Sequence, residues 1–523
     1  MARKIGVAAS GSAEVTQTAV DILEAGGNAF DAALGALCTA SIAEPLLASL
    51  GGGGFLVALP NEERPRVYDF FCQTPGVCRP SGEIDFFPIL ADFGAAHQEF
   101  HVGLGAGAVP GVVAGIFDAH ADLGRMPIAE IMQPAASLAR SGVLVDAFHD
   151  YIIRILKAII TATPEAFGLY ESPGSPGELI SAGELLRNPK AADALDALAS
   201  EGPDLFYRGE WAERLAADCA EKGGHISLED MSSYRVVRRE PVVFRYRDVK
   251  IAINPPPSPG GCLVAFALGV LSDWNCSGRD WGGPEHMMNL LRAMRAASIA
   301  RHDFSMEGGL DSEVMGRLLS EDTIQEWQQS IRLHSLFSRG TTHISVADAD
   351  GNLASLTASN GEGCAYVLPG TGIMLNNMLG EEDLHPAGFN RWKPGVRLAS
   401  MMSPTVVEKP DGTRFALGSG GSNRIRSAVT QVLVNLLDFG MASIDAVAAP
   451  RIHLEGGLLS VEPDLPAESV EVLDSTVPSS HHWPERNLFF GGVHTVSVAP
   501  GGVFEGAGDP RRGGAAGFAC KPS

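Results

Sequence analysis

The chain predicts a layered α/β protein of the α+β kind, with antiparallel sheets, and three observations carry this. Helical and strand-like stretches alternate, but without the strict βαβ rhythm of a doubly wound parallel sheet. From residue 341 the pattern drops to period two on both sides of Asp350-Gly351, the mark of an antiparallel hairpin whose turn requires positive φ. Several other segments place apolar residues at helical spacing and end at glycine or before proline.

The first helix is predicted over 13–27, where Val15, Ala19, Ile22 and Leu23 share one face and Gly26-Gly27 supplies the C-terminal stop. A second, alanine-rich helix runs from Asn28 to Glu44 and ends before Pro45. Leu50 and Gly51 to Gly54 then lead into the strand Phe55 to Leu59. Between about residues 112 and 240 the pattern is mainly helical, including Gly115 to Leu123, Ile128 to Ser141 and Ala191 to Ala199. Val242 to Ile253 alternates in places. It ends at the stiff loop Asn254 to Gly261, which feeds an apolar helix from Cys262 to Leu271. Thr341 opens a strand through Ala347, and its partner runs from Asn352 to Ser359. A glycine loop, Gly418 to Asn423, precedes an amphipathic helix from about Arg424 to Phe439, and no internal repeat is present.

Hydrophobic residues make up 45% and charged residues 19% of the 523, a globular composition without linker-like tracts. The formal net charge of −23 opposes binding to nucleic acid or anionic lipid. The 61 glycines fall in clusters that imply tight turns and close backbone approach. Eight scattered cysteines without CxxC or paired ligand spacing fit a reducing compartment. The first ten residues lack an apolar h-region and no apolar run is long enough to span a bilayer, so the expected location is cytoplasmic.

No cofactor or metal is expected. Gly103-Leu104-Gly105-Ala106-Gly107 lacks the Walker lysine of a phosphate loop, and His97-Gln98-Glu99-Phe100-His101 is not HExxH and reads as extended. His481-His482 reads as a surface turn.

A threonine hydroxyl becomes an effective nucleophile when a base removes its proton, and the α-amine of an N-terminal threonine, with a pKa of ~8, can serve. An internal threonine creates that terminus if its hydroxyl attacks the preceding carbonyl and the resulting ester is hydrolysed. Arg339-Gly340-Thr341-Thr342 offers the small, flexible residue such a step favours, with a second hydroxyl next door. On local sequence alone the segment reads as the opening of an ordinary strand.

The order of the surrounding motifs resembles the γ-glutamyltransferase family of N-terminal-nucleophile hydrolases over nearly the whole chain. The motifs are Gly26-Gly27-Asn28-Ala29-Phe30-Asp31-Ala32-Ala33, Glu44-Pro45 followed by Gly51-Gly52-Gly53-Gly54-Phe55, Val109-Pro110-Gly111, Phe206-Tyr207-Arg208-Gly209, Gly223-Gly224 with Tyr234, and Pro255 to Gly261. Downstream come Thr341-Thr342-His343-Ile344-Ser345-Val346, Asn376-Asn377, Ser403-Pro404-Thr405 and Asp509-Pro510-Arg511.

The resemblance implies a four-layer αββα sandwich in which a large-subunit segment, 1–340, and a small-subunit segment, 341–523, intertwine in one domain. It implies scission at Gly340–Thr341, a heterodimer of the two fragments with a possible homo-oligomer beyond it, a small-molecule amide or peptide substrate, and a place in glutathione metabolism. Thr341 corresponds to the nucleophile, Thr342 to a hydroxyl that orients it near the new amine, and Gly420-Gly421 to the oxyanion hole. Asn360, Glu381 and Ser400 correspond to substrate-binding positions. Asn360 and Ser400 are equally compatible with capping backbone groups.

The chain also departs from the pattern. The family's arginine in an Arg-Glu-x-Ala-Pro motif is replaced by Phe71 within Asp69-Phe70-Phe71-Cys72-Gln73-Thr74-Pro75, which removes the planar fork for a γ-glutamyl α-carboxylate. Met401 replaces a second serine, Ala358 replaces a threonine, and Asn376 to Asp383 diverges from the family segment. These changes imply a more apolar pocket. Arg79, Arg424 and Arg426 are the candidates to replace the lost anchor. The expected activity is therefore an acyl-enzyme amidohydrolase or acyltransferase on γ-glutamyl or related acyl amides. An acylase on glutaryl-like amides, as in the related cephalosporin acylases, and a non-catalytic binding homologue are the alternatives.

Overall fold

The computed structural model describes residues 3–92, 97–304, 340–385 and 388–521. Arg339 of the proposed cleavage motif lies outside them. Along the chain, β1 (Arg3–Ser10) leads into α1 (Ala13–Glu24), α2 (Ala29–Ala43), β2 (Gly53–Leu59) and β3 (Arg66–Phe70). Then come α3 (Val112–Leu123), α4 (Ile128–Ser141), α5 (Pro189–Glu201), β4 (Val237–Arg239), β5 (Val242–Tyr246), β6 (Val249–Ile253), α6 (Pro259–Leu271) and α7 (Pro284–Phe304). After Gly340 follow β7 (Thr342–Asp348), β8 (Leu353–Ser359), β9 (Thr405–Glu408), β10 (Arg414–Gly420), α8 (Arg424–Leu437), β11 (Gly492–Ala499), β12 (Val503–Ala507) and β13 (Ala515–Lys521).

The strands form a seven-stranded sheet in the order β13-β1-β7-β8-β2-β3-β4 and a six-stranded sheet in the order β12-β11-β10-β9-β6-β5. All pairings within the two sheets are antiparallel. Each of these two sheets contains strands from before Gly340 and from after Thr341, so neither is built by one half of the chain alone.

Alternation along each strand builds the layers. On β7 and β8, Ile344, Val346 and Leu356 turn outward onto Val15 of α1, Leu34 of α2 and Ile131 of α4. Ala347 and Leu353 turn inward and meet Ala252, Val406 and Ala416 of the second sheet. That sheet's outer face, with Ile251, Leu417 and Val493, packs on Leu263 of α6, Leu291 of α7 and Val429 of α8. The resulting order is helix, sheet, sheet, helix, the expected αββα sandwich.

Local chemistry sets the boundaries. Asn28 caps α2, accepting from the Phe30 and Asp31 amides, while Asp31 reaches back to the Asn28 amide. In the β7–β8 hairpin only Gly351 takes positive φ, at 91°, because the loop is one residue longer than a two-residue turn and closes through Asp348 and Asn352. Three sequence readings change. Val242 to Ile253 is two strands joined at Arg247, whose φ is 54°. Gly418 to Gly420 belongs to β10, paired with β11, so the glycine loop begins only at Gly421. His481 and His482 are exposed but lie on an edge strand, Ser479–His482, paired with Leu458–Val461.

A buried ionic knot anchors β11. Asp509 receives Arg451 at 2.7 Å, the Val493 amide at 2.9 Å and Arg511 at 3.2 Å, while Arg511 also forks onto Glu462 at 2.7 and 2.5 Å. Burial raises the Asp509 carboxyl, but the Arg451 and Arg511 charges outweigh it and hold it at about 2. Its contribution is therefore complete above the ordinary carboxylate value and is lost as pH falls toward 2. Asp509→Asn, which leaves the buried Arg451 guanidinium without its carboxylate and Arg511 with Glu462 alone, is expected to cost about 3–5 kcal/mol, read as a lower denaturation midpoint at neutral pH, with the difference from wild type shrinking in acid.

Candidate active site

Gly340 and Thr341 enter β7 at the floor of a cavity with about 490 Å³ of empty volume. Its wall is formed by Phe71, Ser359, Met378, Glu381, Ser400, Met401, Met402, Ser422 and Arg301, among others. Thr341 is buried, and its hydroxyl lies 2.7 Å from the carbonyl oxygen of Gly340, to which it donates. The same oxygen accepts from the Ser359 hydroxyl at 2.7 Å, while the Gly340 amide donates to Glu362 at 2.9 Å. Two hydroxyl donors on one carbonyl draw electron density toward its oxygen and raise the electrophilicity of the carbon between Gly340 and Thr341. The Thr341 hydroxyl, the Gly340–Thr341 peptide bond and a polarising donor thus meet at one point.

The backbone of Thr341 is held separately. Its carbonyl accepts from Arg512 at 3.1 Å, and Arg512 follows directly on the Asp509–Arg511 knot. Burial lowers the Arg512 guanidinium to about 10, leaving it cationic at neutral pH. Gly420 passes so close that a methyl group there would lie 2.1 Å from the Thr341 carbonyl oxygen, which admits only glycine. Gly421 follows with φ of 119°, turning the chain into α8. The pair therefore sits against the Thr341 backbone, while the cavity wall itself is made by the next residue, Ser422.

The other sequence candidates divide. Glu381 and Ser400 line the cavity, and Ser400 Oγ accepts from the Met402 amide at 3.1 Å. Phe71 lines it too, stacked on Phe55 with ring centroids 5.4 Å apart. Asn360 is fully buried beside Ser359, outside the lining, with neither side-chain amide atom in a hydrogen bond among the described residues. Thr342 is on the other face of β7, as strand alternation requires. Its hydroxyl faces the buried Glu44 carboxyl across Gly11, where a methyl group would lie 2.7 Å from Glu44 Oε1 and 3.0 Å from Thr342 Oγ1. It does not reach the cavity from there, so the orienting hydroxyl within reach of the Gly340 carbonyl is Ser359.

None of the three arginines proposed as a replacement anchor lines the cavity. Arg79 donates its backbone amide to His225, Arg424 lies over the Phe489 ring at 4.3 Å, and Arg426 is 3.7 Å from Glu455. The cation that does line it is Arg301 on α7. Behind Phe71, Arg397 bonds the Phe71 carbonyl and pairs with Asp69 at 3.5 Å, so this guanidinium braces the wall from outside.

Ser359 was hidden by the turn: a two-residue Asp350-Gly351 turn would pair it with Thr342, whereas the longer loop pairs Thr342 with Ala358 and so places Ser359 on the face that Thr341 uses. Arg512 adjoins a recognised motif. Arg301 and Glu362 carry no sequence signal, because their approach to the cavity depends on how α7 and the turn after β8 pack.

A family model described as Gamma-glutamyltranspeptidase matches residues 15–519. The Acylase ACY 1 proenzyme of Pseudomonas sp. (strain V22) is 31% identical over 510 residues, covering 93% of this chain and 88% of its own. The Glutathione hydrolase proenzyme of Escherichia coli (strain K12) is 29% identical over 541 residues, covering 97% and 90%. Among solved structures, a cephalosporin acylase from Bacillus halodurans superimposes with a TM-score of 0.85 at 25% identity, covering 99% of this chain and 96% of that one. The N-terminal-nucleophile hydrolase sandwich is thus the fold, and the protein is an enzyme of the hydrolase or transferase type. Matched along nearly its full length, the chain belongs to the gamma-glutamyltranspeptidase family, as a divergent member.

Proposed function

We propose that Thr341 is the nucleophile of an autoprocessing amidohydrolase or acyltransferase. The carrying observation is the contact of its hydroxyl with the Gly340 carbonyl inside the cavity. In the first step Thr341 Oγ attacks the Gly340 carbonyl carbon. The peptide nitrogen takes up a proton and leaves as the α-amine of Thr341, and water hydrolyses the resulting ester. In the mature enzyme that amine accepts the hydroxyl proton, and Thr341 Oγ attacks the carbonyl of a small-molecule amide. The amine leaving group departs with a proton, and water or a second amine releases the acyl group. The proenzyme names of the relatives support the two-fragment reading. Interleaving of strands from both sides of Gly340 supports fragments that stay together after scission.

Each addition to a carbonyl places negative charge on oxygen, and backbone amides at Gly421 and Ser422, near the N-terminus of α8, are the donors we assign to it. The acyl group is γ-glutamyl or a related acyl. The wall of Phe71, Met378, Met401 and Met402 favours an extended methylene chain, which also fits the acylase relative and structure. The eight thiols, none in a disulfide, support the cytoplasmic location we assign. Glutathione is the first γ-glutamyl compound to assay.

Denaturing electrophoresis of the purified protein is expected to show fragments of 340 and 183 residues out of 523, co-eluting under native conditions, and an intact chain for Thr341→Ala. An unprocessed wild-type chain overturns the reading. Ser359→Ala removes one of the two donors on the Gly340 carbonyl. It is expected to slow conversion of precursor by on the order of 10²-fold, followed as a time course after expression at low temperature.

A further inference from the structure

Gly340 is held at both of its polar atoms, and both holds come from the turn that follows β8. The Ser359 hydroxyl accepts from the Gly361 amide at 3.0 Å and donates to the Gly340 carbonyl at 2.7 Å. Three residues on, the Glu362 amide donates to Asn377 Oδ1 at 3.0 Å, and Glu362 Oε1 takes the Gly340 N–H at 2.9 Å. The carbon between these two polar atoms is closely walled. A methyl group on it would lie 2.7 Å from the Gly361 carbonyl oxygen and 3.2 Å from that of Leu46. Glu362 is buried and does not line the cavity, whereas Gly340 does, so Gly340 stands between the two.

Maturation passes through an ester in which the Gly340 carbonyl is carried on Thr341 Oγ. Chemically this ester is an acyl-enzyme, formed on the same oxygen and resolved by water as one made from a substrate would be. The first acyl group the site carries is therefore an N-acylglycyl group, and the precursor displays the residues that seat it. When the fragment end leaves, Ser359, Glu362 and the Gly361 carbonyl stay on their turn around the place where a second acyl group puts its carbonyl. An N–H brought back to Glu362 Oε1 restores a buried hydrogen bond, and a methylene at the same point does not.

We infer that the mature enzyme accepts N-acylglycyl amides as acyl donors, and that Glu362 selects them by taking the glycyl N–H. This deepens the reading above and rests on Thr341 being the nucleophile of both reactions. The group is isosteric with the extended methylene chain that the cavity wall favours, an N–H standing in for the second methylene. An L-configured branch on the first carbon is excluded by the Gly361 carbonyl. Thr341 Oγ attacks the glycyl carbonyl, the C–N bond breaks, the amine leaves with a proton, and water then frees the N-acylglycine.

The test compares three p-nitroanilides: N-benzoylglycyl, its 3-benzoylpropionyl isostere with a methylene in place of the N–H, and N-benzoyl-L-alanyl. They are assayed on wild type, Glu362→Gln and Glu362→Ala, each first checked for scission into two fragments. Wild type is expected to favour benzoylglycyl over benzoylpropionyl by about 10- to 100-fold in kcat/KM and to leave the L-alanyl compound almost untouched. Glu362→Ala is expected to bring the first ratio near one, and Glu362→Gln, whose amide oxygen still accepts, to retain part of it. Where Glu362→Ala stays uncut, the wild-type ratio decides. Calorimetric binding of N-benzoylglycine against 3-benzoylpropionate to wild type is a readout independent of turnover and is expected to favour the N–H compound. A wild-type ratio near one, or L-alanyl turnover equal to glycyl, overturns the inference, while an acyl-enzyme on Thr341 seen by mass spectrometry leaves the catalytic reading standing. Preferential binding of N-benzoylglycine with no acyl group on Thr341 from any of the three anilides overturns the catalytic reading and the donor role with it, and leaves recognition of the N–H by Glu362 standing.

Discussion

The site depends on β7 being a central strand, because Gly340 and Thr341 stand directly ahead of its first residue, Thr342, and line the cavity. β7 is paired on both sides, with β1 and with β8, along nearly its full length. A chain end at that place in an edge strand would fray. Here β8 holds the backbone from Thr342 onward and β1 holds it from Ile344 onward, and Arg512 and Gly420 fix the Thr341 carbonyl as well. The hydroxyl of Thr341 can therefore be aimed by its own short side chain with little freedom to lose. That is the condition for a reaction driven by proximity and not by an unusually basic partner.

The space between the sheets extends this constraint. Next to the apolar contacts at Ala347 and Ala416, the inward positions near the site are polar and mutually satisfied. His343 bonds Thr357 at 2.7 Å and Ser345 at 2.9 Å, Ser345 bonds the His494 carbonyl at 3.1 Å, and Ser355 donates to the Leu417 carbonyl at 2.8 Å. Burial drives His343 well below its ordinary value, so the ring is neutral and serves both hydroxyls. Such a network registers one sheet on the other more sharply than methyl packing does, since each donor has one acceptor in reach. The glycines at 418 and 420 let β10 approach closely, with the His343 ring only 2.4 Å from where a side chain at Gly418 would begin.

Much of this was legible in the sequence, for identifiable reasons. α4, the helix that begins at Asn28 and the β7–β8 hairpin follow from periodicity and turn chemistry, which are local. Thr341, Ser400 and Glu381 follow from motif order, and all three line the cavity. The family resemblance also located Gly420 and Gly421, although what requires glycine at 420 is a contact with Thr341 that no local pattern encodes. Legibility failed where a side chain's direction decides its role. Thr342 adjoins Thr341 in sequence and points to the opposite face, and Ser359 was overshadowed by its neighbour Ala358. Arg79, Arg424 and Arg426 carry the right charge on the wrong surfaces. Arg301 belongs to a helix that carried no sequence signal, and the packing of α7 on α6, with the Arg301–Asn423 hydrogen bond, brings it to the cavity.

The same packing decides what charge the cavity can present. With Phe71 in the wall, the guanidinium of Arg397 stands behind it, paired with Asp69 and bonded to the Phe71 carbonyl and to Tyr234, so it braces the aromatic wall and does not line the cavity. Phe71 leads out of the first sheet, and Ser422 and Ile425 lead from the second sheet into α8, so the cavity lies where the two layers meet, with Gly340 and Thr341 at the entry to β7.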